Sequence, residues 1–104
     1  MNPPLPVNFT VRASRQVAEA ERWWRENRTK APDALRAEVE QALHLIASQP
    51  EVGAKAQNAT LVGVRRILLG RVSYHLYYRL VDTPIRSVHV LALWHASRGR
   101  GPGL

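Results

Sequence analysis

Val7, Phe9 and Val11 alternate with Asn8, Thr10 and Arg12, the period of a half-buried strand, and predict a first strand over about residues 7 to 12. Ser14 can cap a helix that continues through Val17, Ala20 or Glu21, Trp24 and Arg28 and ends near Asn27 to Lys30. Pro32 suits the first turn of a second helix, and Leu35, Val39, Ala42, Leu43 and Ile46 form one apolar stripe before Pro50 stops it. Residues 51 to 60 have no period and read as a loop. Three strands follow, Leu61 to Leu69, Val72 to Val81 and about Ile85 to His95, joined by a Gly70-Arg71 hairpin turn and by Asp82-Thr-Pro-Ile.

The order β-α-α-β-β-β predicts an α+β domain in which a helical hairpin packs on one face of a mainly antiparallel four-stranded sheet. Strand phase assigns side chains to faces. Val72, Tyr74, Leu76, Tyr78 and Leu80, with Val88, Val90, Ala92 and Trp94, are expected under the helices. The opposite face would then carry His75, Tyr77 and Arg79 beside His89, Leu91, Leu93 and His95. A surface so mixed in character calls for a partner over part of it.

Length adds that residues 1–104 are a single domain with one core. The proline- and glycine-rich ends, about residues 1–6 and 99–104, read as flexible. No apolar run is long enough to span a membrane and no leader-like segment opens the chain, so a cytoplasmic location is expected. The absence of cysteine removes disulfide, thiolate-metal and cysteine-nucleophile chemistry. Four histidines without a tight His-Glu spacing predict no metal site, nothing in the pattern requires a cofactor, and His44 reads as a surface residue of the second helix.

Charge is where composition changes the picture. Of the 15 basic residues 13 are arginine, and from Leu61 onward seven arginines face the single acid Asp82, giving +6 of the total +7. Arginine forks onto phosphates and carboxylates, so the C-terminal sheet predicts an anionic partner. A GC-rich coding bias would also raise the arginine count, but it would not confine the excess to one part of the chain.

Four stretches in order carry a resemblance. They are Ala42-Leu-His-Leu-Ile-Ala-Ser-Gln-Pro-Glu-Val-Gly, Val64-Arg-Arg-Ile-Leu-Leu, Tyr74-His-Leu-Tyr-Tyr-Arg-Leu and Val88-His-Val-Leu-Ala-Leu-Trp-His-Ala-Ser-Arg-Gly. Over about residues 7 to 100 the chain resembles the RelE/ParE superfamily of toxins. The resemblance implies a type II toxin silenced by a cognate antitoxin, ParD-like or of another type II class, in a hetero-oligomer. The antitoxin's acidic segment would fold on binding. It also implies one of two targets, the ribosome with its mRNA for RelE-like members or DNA gyrase for ParE-like ones.

The ending Leu93-Trp-His-Ala-Ser-Arg-Gly is closer to the ParE-like, plasmid-stabilisation branch, and the segment before and along the second strand, where RelE-like nucleases tend to carry several lysines or a glutamate, holds only Lys55 and Glu51. A gyrase-directed toxin is therefore the leading expectation, with target contacts from Arg65, Arg66, Arg79, His95 and Arg98. Tyr77, Leu91, Leu93 and Trp23 are the expected antitoxin contacts. The alternative is a metal-independent endoribonuclease, which needs a base, an acid and cations around one phosphodiester; His75, Tyr77, Arg79, His95 and Arg98 could supply them. A non-toxic nucleic-acid-binding module is the third reading. Trp23 and Trp24 point about 100° apart on a helix, which predicts one core and one boundary residue. Gly99-Arg-Gly-Pro-Gly matches a phosphate loop in composition only, lacking the Lys-Ser or Lys-Thr and the following helix.

Overall fold

The computed structural model describes residues 3–104; Met1 and Asn2, at the end expected to be flexible, lie outside the described residues. The elements are β1 (Val7–Phe9), α1 (Val11–Asn27), α2 (Ala34–Ser48), β2 (Ala54–Lys55), β3 (Arg65–Leu69), β4 (Tyr74–Val81) and β5 (Ser87–His95). They form one five-stranded mixed sheet in the order β1-β5-β4-β3-β2, with β1 parallel to β5 and the other pairs antiparallel. The α+β class and helical hairpin are as expected.

The first strand is shorter than its alternation suggests because Thr10, not Ser14, caps α1. Its hydroxyl accepts from Ala13 N–H at 3.0 Å, which turns the chain into a helix at Val11 and leaves that valine 76% exposed. Pro32 precedes α2, whose N-cap is Asp33, and the stripe behaves as its period predicts: Leu35, Val39, Ala42 and Ile46 are all buried.

The supposed loop contains the two-residue β2, which pairs Ala54 with Arg66 and Lys55 with Arg65 and makes the fifth strand. The turn from β3 to β4 is longer than two residues. It runs Gly70–Ser73, with Leu69 paired to Tyr74, and the left-handed residue is Ser73, at φ 60°, rather than Gly70. Val72 and Ser73 both donate backbone N–H bonds to Leu69 O, at 3.1 and 2.8 Å, so the turn is closed by hydrogen bonds and a buried valine.

The principal departure is in β5. Tyr77 pairs with Ala92 and Tyr78 with Val90, so Leu91 is an extra residue and the ladder bulges there. The register shift reverses the expected faces beyond it. Leu93 joins the helix-side core and His95 pairs with Tyr74, whereas Ala92 and Trp94 pair with Tyr77 and His75 on the open side. The bulge lies where β1 ends and α1 takes over the edge of β5. Thr10 donates its hydroxyl to Leu91 O at 3.3 Å, and Gln16 Oε1 accepts from Leu93 N–H at 2.9 Å, so side chains of the cap and helix replace a strand partner.

Two clusters result. Beneath the helices, Leu35, Ile46, Leu76, Tyr78, Val88 and Val90 are completely buried. Tyr78 also ties the β2 segment down, donating its hydroxyl to Pro50 O and accepting from Gly53 N–H, both at 2.9 Å. A Cβ on Gly53 would lie 2.7 Å from that hydroxyl, which explains glycine there. On the other face Val64, Tyr77, Leu91 and Ala92 make a smaller cluster.

Residues 99–104, expected as a flexible tail, lie back across this face. Trp94 Nε1 donates to Arg100 O at 2.9 Å, Arg12 to Gly103 O at 2.8 Å and the Thr60 hydroxyl to Leu104 O at 2.7 Å. At the other end Leu5 N–H donates to Ala47 O at 3.0 Å, so the residues just before β1 are held as well.

Candidate functional site

The bulge distributes the sequence-predicted site over two places. On the open face β3 and β4 set Arg66 beside Tyr77, and the guanidinium donates to the Tyr77 hydroxyl at 3.4 Å. His75 lies two residues along β4, its ring centroid 6.3 Å from that of Tyr77. Partial burial, reinforced by the Arg66 charge, lowers the His75 pKa and keeps the ring neutral. Arg66, Tyr77, residues 56–59 and the C-terminal segment surround a cavity of about 350 Å³. Arg79 is on the same face, paired with His89 and reaching Val62 O at 3.5 Å.

Arg65 is turned to the other side and is engaged there, donating to Glu51 O and Gly53 O at 3.2 and 2.8 Å. Its charge helps hold the β2 segment.

His95 and Arg98 are at the second place, the end of the sheet beside the C-terminal end of α1. His95 stacks edge-on against Tyr74 with centroids 5.0 Å apart. Ser97 N–H donates to His95 Nδ1 at 3.2 Å, which fixes the orientation of the ring. Trp23 is 46% exposed, and Trp24 packs inward with Nε1 donating to Ala31 O at 2.9 Å, the division between neighbouring helix positions that the sequence predicts. Arg28 lies 5.1 Å from the Trp23 ring and 5.7 Å from the Trp24 ring. The cleft between these groups and the β3–β4 turn measures about 430 Å³. Burial raises the Tyr74 pKa despite the nearby Arg98 charge, so its hydroxyl stays protonated.

Of the side chains expected to meet an antitoxin, Tyr77, Leu91 and Leu93 are only 5, 7 and 3% exposed. Tyr77 and Leu91 are covered by the chain's own loop and C-terminal segment, and Leu93 is moved into the main core by the bulge. Trp23 alone of the four remains accessible. Sequence reasoning did not single out Arg71 or Ser73 in the cleft, and it assigned Tyr74 to the core. Arg28, one helical turn beyond Trp24, was the legible signal, and it was read only as a continuation of the stripe.

The model of the ParE toxin of the type II toxin-antitoxin system parDE matches residues 7–99, which is nearly the whole described domain. The chain belongs to the ParE toxin family.

This ParE-family toxin is also similar to solved structures. A chain of the RelBE2 toxin-antitoxin complex from Mycobacterium tuberculosis is 28% identical, with a TM-score of 0.63 over 89% of this chain and 99% of that one. A chain of the chromosomal ParDE toxin-antitoxin system from P. aeruginosa is 17% identical, with a TM-score of 0.69 over 89% and 97%, and shares the fold. A search of curated protein sequences finds no match. Among the described residues no helix is long and apolar enough to cross a membrane.

Proposed function

We propose that this ParE-family toxin arrests growth by binding a protein target, DNA gyrase foremost, and that a cognate antitoxin silences it. One observation carries the choice of a binding toxin over a nuclease. The acid-base groups that could serve RNA cleavage are divided, with His75, Tyr77 and Arg79 on the open face and His95 and Arg98 at the helix-side cleft. A metal-free ribonuclease needs its base, acid and clamp around one phosphodiester. The ParE family match supports gyrase as the target. Arg66, Arg79, His95 and Arg98 are the proposed target contacts.

With Tyr77, Leu91 and Leu93 buried, the antitoxin's acidic, partly apolar segment is assigned instead to Arg66, Arg79 and the 56% exposed Leu68. Leu68 shares the open face with His75, so charge and apolar surface adjoin there.

A RelE-like endoribonuclease is the second reading, favoured by the open-face trio alone. Neutral His75 could take a proton beside Arg66 and Tyr77. Induced expression separates the two. A gyrase toxin gives DNA-damage induction with intact transcripts, and inhibits supercoiling by purified gyrase; rapid loss of translation with cut transcripts would replace it with the nuclease. His95→Ala and Arg79→Ala are each expected to abolish toxicity with the fold intact by circular dichroism. Full toxicity in both would put the target surface elsewhere.

A further inference from the structure

The segment that covers the open face, residues 99–104, has little of its own to hold it there. Gly99, Gly101 and Gly103 make up half of it, so it loses much chain entropy on being ordered and buries few side chains. Pro102 is buried, and Leu104 is half-buried against the cluster of Val64, Tyr77, Leu91 and Ala92. The attachment is made through carbonyl oxygens. Trp94 Nε1 donates to Arg100 O at 2.9 Å and Arg12 to Gly103 O at 2.8 Å, while Thr60 gives Leu104 O both its backbone N–H and its hydroxyl, the latter at 2.7 Å. The start of α1, the loop after β2 and the end of β5 thus aim donors at one strip of the face, where neutral acceptors meet them.

Beside that strip the segment leaves a hollow of about 350 Å³ unfilled, with Arg66 and Arg100 in its lining and no carboxylate. The ion pairs formed among the described residues, Arg36–Glu21 and Arg86–Asp82, involve neither arginine. Donors and cations so placed bond more strongly to a carboxylate than to a peptide carbonyl. The apolar cluster beneath still needs a cover, so an occupant that replaces the segment must be apolar as well as acidic.

We infer that residues 99–104 are an internal occupant of the groove that receives the antitoxin's acidic, partly apolar segment, and that this partner displaces them and takes over Arg12, Thr60 and Trp94 as donors beside Arg66. Displacement also uncovers Tyr77 and Leu91 for the partner's apolar side chains. The inference rests on the reading that the antitoxin lies on the open face, and it extends that reading from the exposed Arg66 and Arg79 to the covered part of the face. Because the segment competes with the partner, loosening it raises the partner's apparent affinity.

Two-dimensional proton–nitrogen NMR of the purified toxin tests this, with a decapeptide of alternating glutamate and leucine as the probe. On saturation the Trp94 indole N–H resonance, identified by its loss in Trp94→Phe, should shift, and the Gly99, Gly101 and Gly103 amides should move to free-chain positions. Gly101→Ala sets a Cβ 3.1 Å from the Tyr77 hydroxyl and crowds the segment, whereas a Cβ on Gly103 meets nothing within 4 Å. The first should tighten peptide binding about threefold or more and the second should leave it unchanged. Tyr77→Phe added to Gly101→Ala removes the crowding oxygen and should restore the parent affinity. Arg66→Ala should weaken binding about tenfold. If Gly101→Ala does not fold, Leu104→Ser loosens the same segment from its apolar end.

Peptide binding that Arg66→Ala weakens but that leaves the Trp94 and glycine resonances in place would overturn displacement and keep the antitoxin on the open face. Binding indifferent to Arg66→Ala would remove that reading too. Unchanged affinity in both Gly101→Ala and Leu104→Ser would make the segment a structural cover and overturn the proposal. So would no binding of the peptide, or displacement by a deoxythymidylate hexamer where the peptide fails, which would give the groove to nucleic acid.

Discussion

On the helix-facing side of the sheet, Leu76, Tyr78, Val88 and Val90 are fully buried beneath α1 and α2, whereas on the open side Val64, Tyr77, Leu91 and Ala92 are covered by loops and the C-terminal segment. The same strands supply both layers, so composition does not explain the contrast. Cover does. Two helices bring a continuous apolar stripe to one side, whereas the other receives residues 56–59 and 99–104, whose polar backbone leaves Arg66, Arg79 and His75 partly accessible. The end of the sheet, where α1 runs out, belongs to neither regime. There His95 shares a cleft with Trp23, Trp24 and the β3–β4 turn, and the Arg98 guanidinium stacks 3.9 Å from the Trp94 ring.

The comparison breaks most visibly at the adjacent tyrosines. Tyr78→Ala should cost about 4 kcal/mol in urea unfolding, since it empties a fully buried aromatic site and releases the β2 segment. Tyr78→Phe should still cost about 1–2 kcal/mol, because Gly53 N–H and Pro50 O lose their shared partner. Tyr77→Phe, which gives up only the 3.4 Å bond from Arg66, should cost less than about 0.5 kcal/mol. Equal losses in the two phenylalanine variants would mean that the open face is as tightly anchored as the core.

A smaller effect is expected at the sheet end. Ser73→Gly should raise stability by up to about 1 kcal/mol by relieving the left-handed strain, seen as a higher urea midpoint. A lower midpoint would mean that the serine side chain holds the turn.

The smallest is a pH effect on the open face. His75 has a folded pKa below its ordinary 6.5, from burial first and then Arg66, so the unfolded chain binds its proton more readily. Its contribution is therefore present above pH 6.5 and is lost as pH falls through the lowered folded value. Urea midpoints measured from pH 7.5 to 5 should decline less in His75→Gln than in the parent. An unchanged slope would assign the acid sensitivity to other groups.

How much could be read in advance follows from which interactions are local. The α2 stripe at Leu35, Val39, Ala42 and Ile46 was legible because a helix hydrogen-bonds to itself and its period survives any surroundings. The β4 phase was legible for a similar reason, with Leu76 and Tyr78 inward over an unbroken strand. β2 was hidden because two residues have no period, and their pairing exists only against β3. Arg79 was expected on one face with His95, yet the bulge turns His95 to the helix side and separates it from Arg79 and Arg66, a change that no local pattern in the sequence announces.

By itself the sequence determined the class of fold, the helical hairpin, the family and the placement of +6 of the charge after Leu61, since these follow from side-chain period, element order and residue counts. Tertiary structure decided which chemistry meets which. Thr10 and Gln16 of the α1 start replace β1 at the edge of β5, Leu91 bulges there, and each later side chain exchanges faces. Strand phase has a period of two, so one extra residue moves Leu93 and His95 to the helix side, and no local pattern in β5 records that shift.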